Sequence, residues 1–218
     1  MTDAHTHSVK TLPAWLCSAR EEDWADAAAQ ENSDVRVFFG VHPWYAKTGV
    51  AEKLEKILRA HPKAGVGEIG LDRLREKTVS PLQRECFREQ LEVAASLNRV
   101  VQLHGAKCWG EVVKECKTFK NRIPAFVFHG FSRSEGLLPE IFAMNGYVTV
   151  GAAILNDHAV NYRRLVANLP EERILCETDE STVGLFEIHR AAAEKRSARL
   201  EDFIACADEN ARRLFDDA

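Results

Sequence analysis

The sequence predicts an α/β fold: a distorted (β/α) barrel of parallel strands, lacking one regular βα unit near the N-terminus. Three observations carry this. Short apolar, β-branched runs alternate with longer helical patterns along the whole chain, which is the signature of βαβ units and a parallel sheet. The runs are apolar along most of their length, as strands covered on both faces are. Histidines and carboxylates recur at the C-terminal ends of these runs. In a closed barrel those ends converge on one face, whereas an open sheet spreads them along a line.

Taken in order, the first strand lies in "TDAHTH" (2–7), where His5 and His7 are two residues apart and so share a face of an extended chain. The stretch 8–34 has room for a helix but not for a regular second strand with its partner helix, so seven strands are predicted in all. "VRVFFGVHP" (35–43) is next, then the helical "VAEKLEKILRAHP" (50–62). "AGVGEIGLD" (64–72) precedes "SPLQRECFREQLEVAASLN" (80–98), which opens with Ser80 as N-cap and Pro81 at the first helical position. "RVVQLHG" (99–105) leads into "GEVVKECKTFK" (110–120). "AFVFHGF" (125–131), "GYVTVGA" (146–152) and "RILCETD" (173–179) complete the set. The last segment reads as a long helix with Leu200, Phe203, Ile204, Ala207 and Leu214 on one stripe. No linker or repeat interrupts the alternation, so residues 1–218 are read as one domain.

Composition narrows the function classes. Apolar residues at 45% and charged residues at 28% are ordinary for a globular domain, and no run of 18 apolar residues exists to span a membrane. A net charge of −4 argues against a surface coated for non-specific nucleic-acid binding, though not against a local site made electropositive by metal ions. The six cysteines form no C-x-x-C pair and read as reduced residues of a cytoplasmic protein.

The chemistry sits at the strand ends: His5, His7, His42, His104 and His129, with Glu68 and Asp179. Any one of these has an ordinary structural explanation, as a helix cap or a satisfied histidine. Leaving His42 aside, together they require the same coincidence on five strands. Imidazole and carboxylate at one barrel mouth form a metal site for Zn, Mn, Fe or Mg. His42, beyond its strand in "GVHPW", is placed as a substrate contact rather than a ligand. His61 is read as ending a helix before Pro62, and His158 and His189 as lying in helical, solvated stretches.

The pieces "DAHTH", "GVHPW", "GEIGLD", "QLEVAASLNRVVQLHG", "FHGF", "GYVTVG", "RILCETD" and "NARRLF" fall in order across almost the whole chain. In this they resemble the TatD family of metal-dependent deoxyribonucleases, within the barrel group of metal-dependent hydrolases. The resemblance implies His5, His7, Glu68, His104, His129 and Asp179 as ligands of two or three divalent ions (Mg, Mn or Zn). It implies a bridging role for Glu68 and a place beside the attacking water for Asp179. It also implies hydrolysis of DNA phosphodiester bonds by a metal-activated water, 3′-to-5′, on single strands or ends. A pair of cations suits that reaction, because it polarises phosphoryl oxygens and lowers the pKa of water.

The chain departs from the family pattern in "HTHSVK", in Ala106 where an arginine is usual, and in "ETDES". Arg73, Lys107 and Arg133, each just past a motif, are the candidate replacements for phosphate contacts. The alternatives are hydrolysis of another ester or amide, such as an aminoacyl-tRNA or a lactone, and a subunit active only within a multi-protein assembly, for which the Trp44–Tyr45 pair offers a contact surface.

Overall fold

The computed structural model describes residues 1–132 and 135–216. Eight parallel strands follow one another around the sheet in chain order: β1 (Asp3–Thr6), β2 (Ala14–Cys17), β3 (Val35–Phe39), β4 (Gly65–Asp72), β5 (Val101–Ala106), β6 (Phe126–Phe128), β7 (Gly146–Val150) and β8 (Ile174–Cys176). The Asp179 amide donates to the His5 carbonyl at 2.9 Å and the Thr178 amide donates to Asp3 Oδ1 at 2.9 Å, so the last strand turns back onto the first and the barrel nearly closes.

The expectation of seven strands is corrected here. β2 supplies the eighth, pairing Ala14 with Val35 and Cys17 with Phe38. Its unit is compressed: four strand residues, a single 3₁₀ turn at Glu21–Asp23 and the five-residue helix α1 (Trp24–Ala28). "AWLC" is buried along its whole length, so it has no alternation of polar and apolar residues by which so short a run could be recognised.

The other helices are α2 (Ala51–Ala60), α3 (Pro81–Ser96), α4 (Trp109–Lys117), α5 (Leu138–Ala143), α6 (Val160–Asn168), α7 (Leu185–Arg196) and α8 (Leu200–Asp216). Ser80 caps α3 as read from the sequence, accepting from the Gln83 amide at 3.1 Å. Successive strand residues serve two cores. Val37, Phe39, Val101, Leu103, Phe126 and Phe128 face the surrounding helices. Their neighbours Phe38, Val127 and Leu175 join Trp15 inside the barrel, where Ala211 and Leu214 of α8 seal the lower end. Of the stripe read along α8, Phe203, Ala207 and Leu214 are buried, while Leu200 and Ile204 are half-buried. With its lower half plugged, the barrel can place polar side chains only at the opposite, C-terminal mouth.

His189 departs from the solvated reading. It is fully buried in α7, with Nδ1 bonded to the Leu185 carbonyl at 3.0 Å and its ring edge-on to Phe203. His158 is exposed in the turn before α6, and His61 follows α2 and pairs with Glu31 at 2.6 Å. The six cysteines are all free thiols, and no described helix is long and apolar enough to cross a membrane.

Candidate metal centre and active site

Glu68 is the hub. It lies inside the barrel on β4, 2% exposed, and four histidines, His5 and His104 within strands and His7 and His129 just past them, turn nitrogens toward its carboxylate. His104 Nδ1 is 2.7 Å from Oε1, His7 Nε2 is 3.1 Å from Oε2, His5 Nε2 is 3.7 Å from Oε2 and His129 Nε2 is 3.8 Å from Oε1. Asp179, just past β8, faces the same space, with Oδ1 3.8 Å from His5 Nε2 and Oδ2 3.8 Å from His129 Nε2. Its backbone is left-handed (φ 53°), a region in which Asp is tolerated better than most residues. His5 and His129 stack face to face with centroids 3.7 Å apart, and His7 stands edge-on to His5 at 5.1 Å. All six residues read as ligands from the sequence are therefore brought together.

The second nitrogen of each of these histidines is held from behind. His5 Nδ1 meets Gln102 Oε1 at 3.0 Å, His7 Nδ1 the Cys17 carbonyl at 2.8 Å, His104 Nε2 Asp72 Oδ2 at 2.8 Å and His129 Nδ1 Glu177 Oε2 at 2.7 Å. Acceptors at those positions leave the opposite nitrogen of each ring for the shared centre, which is how metal-ligating histidines are oriented. Sequence reading passed over Asp72, Gln102 and Glu177. The signal for Asp72 and Gln102 is period two: Asp72 is four residues from Glu68 on β4 and Gln102 two from His104 on β5, so each shares the inward face of a residue already singled out, whereas Glu177 lies past β8 and has no such signal.

His42 differs. Its Nδ1 accepts from the Trp44 amide at 3.2 Å, so in the neutral ring Nε2 carries the proton and points toward Glu68 Oε1 at 3.9 Å. Burial pulls His42 down to about 3, which keeps it neutral.

The electrostatics are dominated by burial and carboxylates. Burial alone raises the Glu68 carboxyl, but hydrogen bonds from His104 and His7 hold it well below the usual range. Burial disfavours the charged form of His129, yet Glu177, Glu68 and Asp179 outweigh it and hold the ring up to about 10. Burial lowers His7 and His104 too, but Glu68 outweighs it at His7, and Asp72 with Glu68 outweighs it at His104, so both are raised. His5 goes the other way. Burial, reinforced by His129, lowers it to about 4, so it is neutral, and its Nε2 is buried with no hydrogen-bond partner. A bare imidazole nitrogen aimed at two carboxylates fits a divalent cation and little else. Among the described residues, three groups have ligand atoms spaced to hold an ion: His5–His129–Asp179, His5–His7–Glu68 and His42–Glu68–His104.

Beside the centre opens a cavity of about 500 Å³, lined by His7, Glu68, His104 and Asp179 together with Arg20, Trp44 and Tyr45. A smaller one of about 280 Å³ lies on the far side of His129 and Asp179, lined by Gly151, Ala153, Tyr162 and Ser181. Of the phosphate contacts read from the sequence, Arg73 lies outside both cavities. Its Nε donates to the Lys77 carbonyl at 3.0 Å, and Nη1 is 3.8 Å from Glu111. Lys107 is exposed after β5 and also outside both. Arg133 lies outside the described residues. Among the described residues lining the cavity of about 500 Å³, the one arginine or lysine is Arg20, carried by the short β2–α1 connection that sequence reading missed.

Comparison with known proteins agrees with this architecture. A family profile described as "TatD related DNase" matches residues 2–216. The chain is 27% identical over 202 residues, 85% of its length and 79% of the relative's, to the uncharacterized metal-dependent hydrolase YabD of Bacillus subtilis. It is 28% identical over 197 residues, covering 81% and 76%, to the 3′-5′ ssDNA/RNA exonuclease TatD of Pectobacterium carotovorum. The crystal structure of the TatD homologue YJJV from Escherichia coli superposes with a TM-score of 0.82 at 22% identity, covering 93% of this chain and 86% of that one. With a profile match running from the first strand to the last helix, the chain belongs to the TatD family of metal-dependent hydrolases.

Proposed function

We propose that this protein is a divalent-metal-dependent deoxyribonuclease that shortens single-stranded DNA or DNA ends from the 3′ side. The observation that carries this reading is the convergence of histidine nitrogens from β1, β5 and the end of β6 on Glu68 and Asp179 at one barrel mouth, each ring fixed from behind. The names of the exonuclease relatives support the substrate class.

His5, His7, Glu68, His104, His129 and Asp179 would hold two or three ions, and the donor set suits Mg, Mn or Zn. When bound, the ions neutralise phosphoryl charge and lower the pKa of water. The chain's own residues do the rest. Asp179, the most exposed carboxylate of the centre with 43% of its side chain accessible, orients the attacking water and takes its proton. Glu68, kept ionised by its histidines, holds negative charge at the hub and bridges the ligand groups. His42 offers its Nε2 proton to a phosphate oxygen. The ions supply the local positive charge, so an acidic chain can still take an anionic substrate.

Hydrolysis of a different ester or amide is the second reading. It is favoured by the cavity's single arginine and absence of lysine among the described lining residues. The deciding experiment is cleavage of end-labelled single-stranded DNA with Mg, Mn or Zn by the wild type and by Asp179→Ala. Metal-dependent shortening from the 3′ end, slower by about 10²–10⁴-fold in the variant, is expected. A metal-loaded wild type that leaves DNA intact with every ion overturns the reading and transfers it to the other bond classes.

A further inference from the structure

We propose that Trp44 is a nucleobase-stacking platform at the mouth of the active site, holding the base beside the scissile phosphate of a single-stranded nucleic acid. The proposal rests on the phosphodiesterase reading above and adds how the strand is gripped.

Trp44 stands apart from the other tryptophans. Trp15, Trp24 and Trp109 are core residues at most 7% exposed, whereas Trp44 is 40% exposed and its neighbour Tyr45 39%. Both line the wall of the cavity that also contains Glu68, His104 and Asp179. Large aromatic faces left in a wet, polar cavity cost solvation free energy unless something covers them. What covers them here is arginine. The Arg75 guanidinium lies 3.9 Å from the Trp44 ring centroid, and that of Arg20 lies 5.1 Å from the Tyr45 ring.

The platform is rigid. Pro43 opens the 3₁₀ turn that carries both aromatics, the Trp44 amide donates to His42 Nδ1 at 3.2 Å, and the Tyr45 amide donates to the His42 carbonyl at 2.8 Å. The Trp44 side chain is a partner of Asp72, the carboxylate that orients His104, and helps to hold that carboxyl low. A base stacked on this ring is therefore registered against the ligand cluster through two side chains, Asp72 and His104.

Aromatic faces and cations side by side are what single-strand binders use, because every base has a π-face and every nucleotide a phosphate. A base is the better occupant of the indole than an exposed guanidinium, whose cation–π contact is the weaker of the two. The base takes the place of Arg75 on the ring, and the freed guanidinium, a planar two-pronged donor, pairs with the adjoining phosphate. A duplex cannot dock in this way, since its bases are already stacked on one another.

The test uses the metal-loaded protein and a phosphorothioate-linked octathymidylate, which resists hydrolysis, alongside the same strand with abasic sites. Binding is read by anisotropy and by tryptophan emission. The expected result is quenching of Trp44 by the base-bearing strand alone and a roughly 10-fold preference for it over the abasic strand. That preference collapses in Trp44→Ala and survives in Trp44→Phe, which keeps the ring face but loses the N–H. Tight binding with no quench, or a base preference that persists in Trp44→Ala, overturns the platform while leaving the nuclease reading standing. Failure to bind or cleave any nucleic acid overturns both.

Discussion

Glu177→Gln isolates what the buried carboxylate behind His129 contributes. Glu177 Oε2 accepts the His129 Nδ1 proton at 2.7 Å, and Oε1 accepts the Gly130 amide at 3.1 Å. Glutamine keeps one acceptor, which goes to His129, and puts an NH₂ opposite the Gly130 N–H. A charge-assisted hydrogen bond contributes about 1.5–3 kcal/mol and a neutral one about half of that, so orientation and basicity of His129 lose about 1.4 kcal/mol. In metal affinity that is roughly a tenfold rise in Kd, the lower end of the 10–100-fold range of such supporting residues. The opposed donors cost about 1 kcal/mol of fold stability, softened by Thr149 Oγ1, which already stands 3.0 Å from the same amide. Isothermal titration with Mn²⁺ reads the first effect. Thermal unfolding of the metal-stripped proteins reads the second, as a fall of about 2–4 °C in Tm. An unchanged Kd with the fold intact would refute the reasoning, because His129 would then bind without its buttress.

Two further outcomes concern the frame that carries the site. Glu115, almost buried on α4, accepts from Arg84 Nη1 at 2.8 Å and Arg88 Nε at 2.7 Å. Burial raises its carboxyl, but these arginines outweigh burial and hold it below the ordinary range. Its stabilising effect is therefore present above the unfolded-state pKa and lost as pH falls through the folded one. Glu115→Gln should cost about 1–2 kcal/mol at pH 7, and chemical denaturation should show the gap from wild type closing in acid. Gly70→Ala should destabilise by about 3 kcal/mol or more, near 10 °C in Tm by calorimetry. At φ 152° the new Cβ would lie 2.0 Å from the His104 carbonyl oxygen, within the β4–β5 pairing. A variant as stable as wild type would show that β4 and β5 can part without loss.

Seven of the eight strands, and the polar positions that cluster at their ends, were legible in the sequence because both are local. An apolar β-branched run declares a strand, and His5 and His7 share a face by spacing alone. Parallel strands must end on one face, so the polar ends of six segments had to meet. Tertiary structure decided everything that depends on partners distant along the chain. Residues 14–17 become a strand because β1 and β3 offer edges on either side, which no feature of "AWLC" announces. Asp72, Gln102 and Glu177 acquire their role only when the strands are set in register, with Gln102 on β5 reaching His5 on β1 across the barrel. Arg73 is drawn away by Lys77 and Glu111, while Arg20 arrives at the cavity on a connection too compressed to recognise. His189 is buried because α8 lays Phe203 against it. Periodicity along the chain dictates which face a side chain takes; only the closure of the barrel dictates what it meets there.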